Sequence, residues 1–294
     1  MSISENDWLK VITFYMIGHS RSSRLGYHPA QMLTHLRSTT LRSLQTSASA
    51  KYLRSNSLNT CRVLSTSLRN MSSSKLAPAD RLKGTDKNVW VTFTELARTT
   101  GAVNLGQGFP DYPPPAHVYE ALAEVASPEN FMFNQYTRGF GHPRLVNAIA
   151  KMYGRFHNRE LDPMKEVLVT AGAYESLFCC FQGYVNPGDE VIIIEPFFDC
   201  YKPMTMNAGG VPKFIPLRPS KDCEVTSADW KLDPEELASL FNDKTKLIVL
   251  NTPNNPLGKV YTRDELAMIA DLCQRHDVIC IADEVSVNGT GLSM

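Results

Sequence analysis

At 294 residues and 43% hydrophobic content, with 30 basic residues against 30 acidic ones, the chain is long enough for one large or two ordinary packed domains. The neutral total hides an asymmetry: up to Lys75 there are ten Lys or Arg against only Glu5 and Asp7, a net of +8, so the remainder carries −8. An acidic body argues against nucleic acid as a partner, and no apolar run has the length of a membrane-spanning helix.

Between Asp7 and Asp80 there is no acidic residue, while Arg21, Arg24, Arg37, Arg42, Arg54, Arg62 and Arg69 are spread among Ser, Thr and Leu. That is the composition of a transit peptide, and Leu33, Leu36, Arg37, Leu41, Arg42 and Leu44 can form an apolar face with a basic edge, as a mitochondrial presequence requires. Residues 1–75 are therefore expected to be a basic, disordered targeting segment that directs the protein to the mitochondrial matrix. A basic tail with no targeting role, or upstream sequence that is seldom translated, is the alternative. Met71 offers an internal start for a cytoplasmic form. Trp8 to Ile17 is apolar, but Lys10 interrupts it and it is too short to span a bilayer.

Seven cysteines, at 61, 179, 180, 200, 223, 273 and 280, show no CxxC spacing and read as buried thiols in a reducing compartment. His117, His142 and His157 build no zinc ligand set, so no metal is expected. The apolar run Val167-Leu168-Val169 leads through Gly172-Ala173-Tyr174 into a helix expected over Glu175 to Gly183. Amides at such a helix start face outward at the positive end of its dipole, which suits a phosphate group; the same glycine also serves an ordinary turn.

Leu247-Ile248-Val249-Leu250 reads as a strand buried on both faces of a parallel sheet, ending at Asn251. Pro253 and Pro256 impose a non-helical loop. An amphipathic helix follows, with Thr262 as N-cap and Leu266, Ile269, Ala270 and Cys273 on its apolar face, and then the apolar run Val278 to Ala282, ending in Asp283-Glu284. Strand, helix and strand in this order predict an α/β fold, a mostly parallel sheet with helices on both faces. Asn255 and Asp283 would lie at the carboxyl ends of its strands, where ligands bind, or would merely cap turns.

The motifs NLGQGFPD (Asn104 to Asp111), NQYTRGFGHP (Asn134 to Pro143), GAYESLF (Gly172 to Phe178), EPFFDCY (Glu195 to Tyr201) and NTPNNPLGK (Asn251 to Lys259) occur in that order. Together they resemble the class I aminotransferases, and more narrowly the kynurenine aminotransferases of the glutamine transaminase K and cysteine-S-conjugate β-lyase type. The resemblance runs from about Asp80 to Val285 and implies a fold-type I large domain over 76–285, pyridoxal phosphate as cofactor, a homodimer, and amino-group exchange between amino acids and 2-oxo acids.

Carried over residue by residue, the resemblance gives Asp283 the cofactor's ring nitrogen, since a carboxylate there keeps the ring cationic. Asn255 would meet the ring's 3′ oxygen and the substrate side, Phe198 would stack on the ring, and Gly172, Ala173 and Tyr174 would receive the phosphate. Gly108 would admit the substrate carboxylate to the backbone, Trp90 would wall an aromatic pocket, and Tyr136 would reach the partner's site. Packing in an ordinary core is the alternative for Phe198, Gly108, Trp90 and Tyr136.

The sequence also departs from the family. Ser286 stands where family members carry a tyrosine, and none of residues 286–294 supplies the Schiff-base lysine; Lys259 is the lysine nearest the site motifs. The carboxylate-binding arginine and the small C-terminal domain are likewise expected to be missing, so the chain is expected to be inactive alone. A non-catalytic partner of a longer subunit and an unstable fragment are the rival readings. Ending the sheet at Val278 to Ala282 is further expected to leave an open, aggregation-prone edge.

Overall fold

A computed structural model describes residues 11–14, 77–84, 89–106, 108 and 112–285. The residues between Met32 and Ser74 that are expected to form a presequence, and Ser286 with the rest of the 286–294 tail, lie outside the described residues. The chain divides into two compact units, Met1–Gly18 with Gly84–Met294, and His19–Lys83. In the second, the described residues hold one 3-10 turn, Asp80–Leu82, with Lys83 paired to Asp80 at 2.6 Å.

The first unit holds a five-stranded sheet. Its strands are β1 (Val11–Phe14), β2 (Glu190–Glu195), β3 (Val211–Pro216), β6 (Thr245–Asn251) and β7 (Ile279–Asp283), in the order β1-β7-β6-β2-β3. Every neighbouring pair is parallel, as the continuous apolar run of β6 predicts. Two short strands, β4 (Arg218–Pro219) and β5 (Trp230–Lys231), pair antiparallel beside it.

Helices cover both faces. In chain order they are α1 (Val89–Thr100), α2 (Ala116–Val125), α3 (Pro143–Phe156), α4 (Ala173–Tyr184), α5 (Tyr201–Asn207), α6 (Pro234–Ser239) and α7 (Arg263–His276). On one face Leu177 and Phe181 of α4 and Tyr201 and Met204 of α5 pack on Val191, Ile193, Leu247, Val249 and Ile281. On the other, Leu237 of α6 and Ile269, Leu272 and Cys273 of α7 pack on Ile192, Ile194, Ile248, Leu250 and Cys280. Alternate residues of each strand thus feed opposite cores.

Local chemistry sets the helix starts. Thr262 caps α7 in a reciprocal box with Glu265, as its position predicts. The inward face of that helix is corrected in one respect: Leu272 is buried and Ala270 exposed, because adding 3 to Ile269 reaches the sheet at 3.6 residues per turn. Helix α4 begins two residues earlier than expected, at Ala173.

The run 167–169 forms no strand. Val167 and Val169 pack instead against Val146, Ile149 and Ala150, and the Val169 amide donates to the Phe140 carbonyl at 3.0 Å. This close approach depends on Gly141, at φ +121°, where an added Cβ would sit 2.7 Å from Val169 Cγ2.

The larger correction concerns the sheet edge. The expected open side of β7 is occupied by β1, a strand from the N-terminal segment, in the register Val11↔Cys280 through Phe14↔Asp283. The expectation failed because a pairing partner more than 260 residues away leaves no mark in the local pattern.

Candidate functional site

The site sits at the carboxyl ends of β6 and β7, where Asn251 and Asp283 are register partners. Asn251 joins the two ends: its Nδ2 donates to the Asp283 carbonyl at 2.9 Å, and its Oδ1 accepts the Asn255 amide at 2.6 Å. Asn254, also buried, donates through Nδ2 to the Pro196 carbonyl at 3.2 Å and accepts the Leu257 amide at 3.1 Å. The turn-capping work in this loop is therefore done by Asn251 and Asn254. Asn255 is exposed, and its side chain makes no hydrogen bond among the described residues.

Asp283 is 4% exposed. Its Oδ2 accepts the Tyr201 hydroxyl at 2.6 Å, while its Oδ1 is buried with no partner in hydrogen-bonding geometry. Burial raises the Asp283 pKa, and the Tyr201 hydroxyl and Val285 amide offset this only in part. Burial, then the charge of Asp283, pushes the Tyr201 phenol upward, so it stays a donor. A buried, half-satisfied carboxylate is costly unless something cationic completes it.

The walls are aromatic. Phe198 meets Tyr201 edge-on at 6.3 Å, and Phe197 stacks on Phe214 at 5.6 Å. Trp90 donates its indole N–H to Asp199 at 2.8 Å, fastening α1 to the loop that carries Phe198. Tyr174 lies close enough that, after burial, the charges of Cys200 and Asp199 raise its pKa. Trp90 also lines a cleft of about 540 Å³ with Phe93, Ala97, Asn104, Leu105 and Gly106. Gly108 lies two residues beyond Gly106 and is exposed, and an added Cβ there would meet nothing within 4 Å.

At the start of α4, Gly172 takes φ +93°, which a side chain would resist, and contributes no side-chain cap. The Ser176 amide reaches back to the Gly172 carbonyl at 3.3 Å, so the amides of Ala173 and Tyr174 form the open first turn. Glu175 accepts the Ala171 amide just outside it.

Asp283 and Phe198 thus meet through Tyr201, Trp90 joins Asp199 next to Phe198, Tyr174 lies within electrostatic reach of Asp199, and Asn255 sits in the loop that leaves β6. Tyr136 is not joined to them; it is fully exposed, beside exposed Phe131, Met132 and Phe140. Lys259 is 0% exposed and ion-paired to Glu265 at 3.0 Å, so it is not free to act as a nucleophile. Sequence reasoning missed Tyr201, Asn251 and Asp199. Each lies within a quoted motif, and a tyrosine on a buried helix face was the signal for a hidden polar partner.

The unpartnered Asp283 Oδ1, the Phe198 ring against Tyr201 and the open α4 turn are groups that suit a cationic heteroaromatic phosphate: Asp283 would hold its ring nitrogen, Phe198 its face and residues 172–174 its phosphate. Residues 100–289 match the family described as aminotransferase class I and II. The chain is 58% identical to kynurenine–oxoglutarate transaminase 3 of Mus musculus over 213 residues, 72% of this chain and 46% of that protein. It is 56% identical to kynurenine–oxoglutarate transaminase 1 of Rattus norvegicus over 214 residues, 72% of this chain and 50% of the relative. Among solved structures, Bna3p of Saccharomyces cerevisiae, a putative kynurenine aminotransferase, superposes with a TM-score of 0.66 at 36% identity, over 72% of this chain and 52% of that one. The chain spans about half the length of the curated relatives it matches. It belongs to the class I and II aminotransferases, a family dependent on pyridoxal phosphate and built on the fold-type I sheet.

Proposed function

We propose that this chain forms the ring- and phosphate-binding half of a kynurenine–oxoglutarate transaminase, which moves an amino group from kynurenine, glutamine or related amino acids to 2-oxo acids and also eliminates from cysteine S-conjugates. The observation that carries this reading is the buried Asp283 carboxylate with one oxygen held by Tyr201 and the other unpartnered. Bound pyridoxal phosphate supplies an electron sink for the substrate's α-carbon. Asp283 keeps the proton on the ring nitrogen, and Tyr201 keeps Asp283 in place. Asn255 has a free amide for an oxygen on the ring edge. Trp90 and Gly108 would border the amino-acid side chain and carboxylate. The exposure of Tyr136, at 105% of its reference area, supports a role for it across a homodimer interface.

The test is a comparison of pyridoxal phosphate with pyridoxal in equilibrium binding to the full chain. Charge-assisted hydrogen bonds contribute about 1.5–3 kcal/mol each, so loss of the phosphate should weaken binding by at least roughly tenfold. Equal affinities would remove the phosphate role of Gly172, Ala173 and Tyr174, and with it this reading.

We also propose a mitochondrial location, on the strength of the arginine-rich, acid-poor composition before Met71. A fusion of residues 32–74 to a fluorescent protein is expected to enter mitochondria. Combining Arg37→Glu, Arg42→Glu and Arg54→Glu is expected to stop entry. Cytosolic fluorescence from the unmodified fusion would overturn the targeting role and favour the form that starts at Met71.

A further inference from the structure

We infer that Thr170 is a positioning residue for the phosphate-binding turn at the start of α4: its hydroxyl holds Gly172 in the conformation that leaves the Ala173 and Tyr174 amides open. The inference rests on the reading of residues 172–174 as the phosphate cradle, and it names what builds that cradle.

A threonine hydroxyl has one proton to donate and two lone pairs with which to accept. The Thr170 proton goes to the Gly172 carbonyl, at 2.9 Å. The Ser176 hydroxyl lies in short contact with the same Thr170 oxygen, and because the Thr170 proton is already placed, Ser176 is the donor of that bond. The Gly172 carbonyl also accepts the Ser176 amide at 3.3 Å, and the Gly172 amide turns back to the Thr170 carbonyl at 2.8 Å. Both backbone polar groups of Gly172 are therefore engaged, each by Thr170 or Ser176. The Ala171 amide goes to the Glu175 carboxylate.

This ring of hydrogen bonds has two consequences. Gly172 sits at φ +93°, a conformation that glycine permits but does not enforce; the Thr170 bridge supplies the hold. With Gly172 and the Ala171 amide engaged by the chain itself, the first-turn amides are what remains for an incoming anion. Thr170 is half-buried and Ser176 is 8% exposed, so water is a poor replacement for the bridging hydroxyl. Thr170 thus acts on the phosphate through Gly172.

The test measures phosphate preference, the ratio of the pyridoxal to the pyridoxal phosphate dissociation constant, in the full chain. Thr170→Val keeps the branched shape and removes the bridge. Losing one neutral hydrogen bond is expected to lower the preference by roughly threefold to tenfold, with pyridoxal affinity unchanged. The phosphorus resonance of the bound cofactor should move toward that of the free one. Thr170→Ser restores the hydroxyl and is expected to keep the native preference and resonance. Ser176→Ala removes the donor to Thr170 but spares the bond from Thr170 to Gly172, and is expected to lower the preference less than Thr170→Val does. The two milder variants carry the test independently of how well Thr170→Val folds. Native preference in Thr170→Val, equal loss of affinity for both ligands, or a Thr170→Ser variant as weak as Thr170→Val would overturn the inference. So would a larger loss in Ser176→Ala, which would move the role to the second hydroxyl. Absence of any preference in the unsubstituted chain is a separate failure: it removes the phosphate role of residues 172–174 itself, and with it anything for Thr170 to position.

Discussion

Asp283→Asn is expected to weaken pyridoxal phosphate binding by roughly 10–150-fold, the equivalent of one charge-assisted hydrogen bond of about 1.5–3 kcal/mol, while leaving the unliganded fold no less stable. Asparagine keeps an oxygen for the Tyr201 hydroxyl, 2.6 Å from Asp283 in the native protein, but it cannot supply the negative charge that a protonated ring nitrogen needs. The stability half of the expectation follows from the pKa. Burial raises that of Asp283 above its model-peptide value, so the folded chain binds this proton more tightly than the unfolded chain does. Ionisation therefore costs stability above the folded pKa, and the cost fades as pH falls through it. The variant has no such cost, and its advantage over the native protein should shrink on acidification. Cofactor titrations and urea midpoints at pH 7 and pH 5 check both halves. Unchanged cofactor affinity would remove Asp283 from the site, and a large loss of stability would make it a structural buttress instead.

The second large effect is expected at Glu265. Its carboxylate lies 3.0 and 3.1 Å from the ammonium of Lys259, which is fully buried and 4.8 Å over the Tyr261 ring. Glu265→Ala leaves that ammonium in the core without a counter-charge, at a cost of about 3–5 kcal/mol, a large share of a domain's net 5–15 kcal/mol, roughly. Lys259→Met should cost much less. The Glu265 side chain keeps 14% exposure, the Thr262 amide at 2.8 Å and Lys231 at 3.8 Å. Burial pushes the Glu265 pKa up, but the Thr262 amide, Lys259 and Lys231 together bring it below the usual value. Its contribution is thus present above the unfolded pKa and lost as pH falls through the folded one, so Glu265→Ala should flatten the acid limb of the stability profile. Urea midpoints of the two variants decide the matter, and a smaller loss for Glu265→Ala than for Lys259→Met would contradict the expected order.

What the sequence made legible was local or carried in motifs. The run over 247–250 is continuous and apolar because both faces of a parallel strand are buried. Thr262 announces a helix start by its place just before an amphipathic run, and the structure adds Glu265, three residues on, as its reciprocal partner. Asp283 and Asn255 stood out by their place after apolar runs. Tyr201 did not, since nothing local tells a helical tyrosine which carboxylate its hydroxyl meets 82 residues later. Gly108 and Tyr136 were named through motifs alone, and the structure leaves both exposed. The apolar run 167–169 resembled its neighbours in composition, yet its packing partner is a helix and its single ladder-like bond goes to Phe140. Hydrophobic pattern specifies burial; whether the buried segment becomes a strand depends on which backbone lies beside it.

The pairing of β1 with β7 also sets an order of events at the ribosome. Phe14 and Asp283 are register partners separated by 269 residues, and at about 5–20 residues per second that interval takes roughly 13–54 s to translate. Throughout it the strand that β1 is to join does not yet exist. The β2, β3 and β6 ladder can assemble as each segment emerges, whereas the first strand made is the last to be placed.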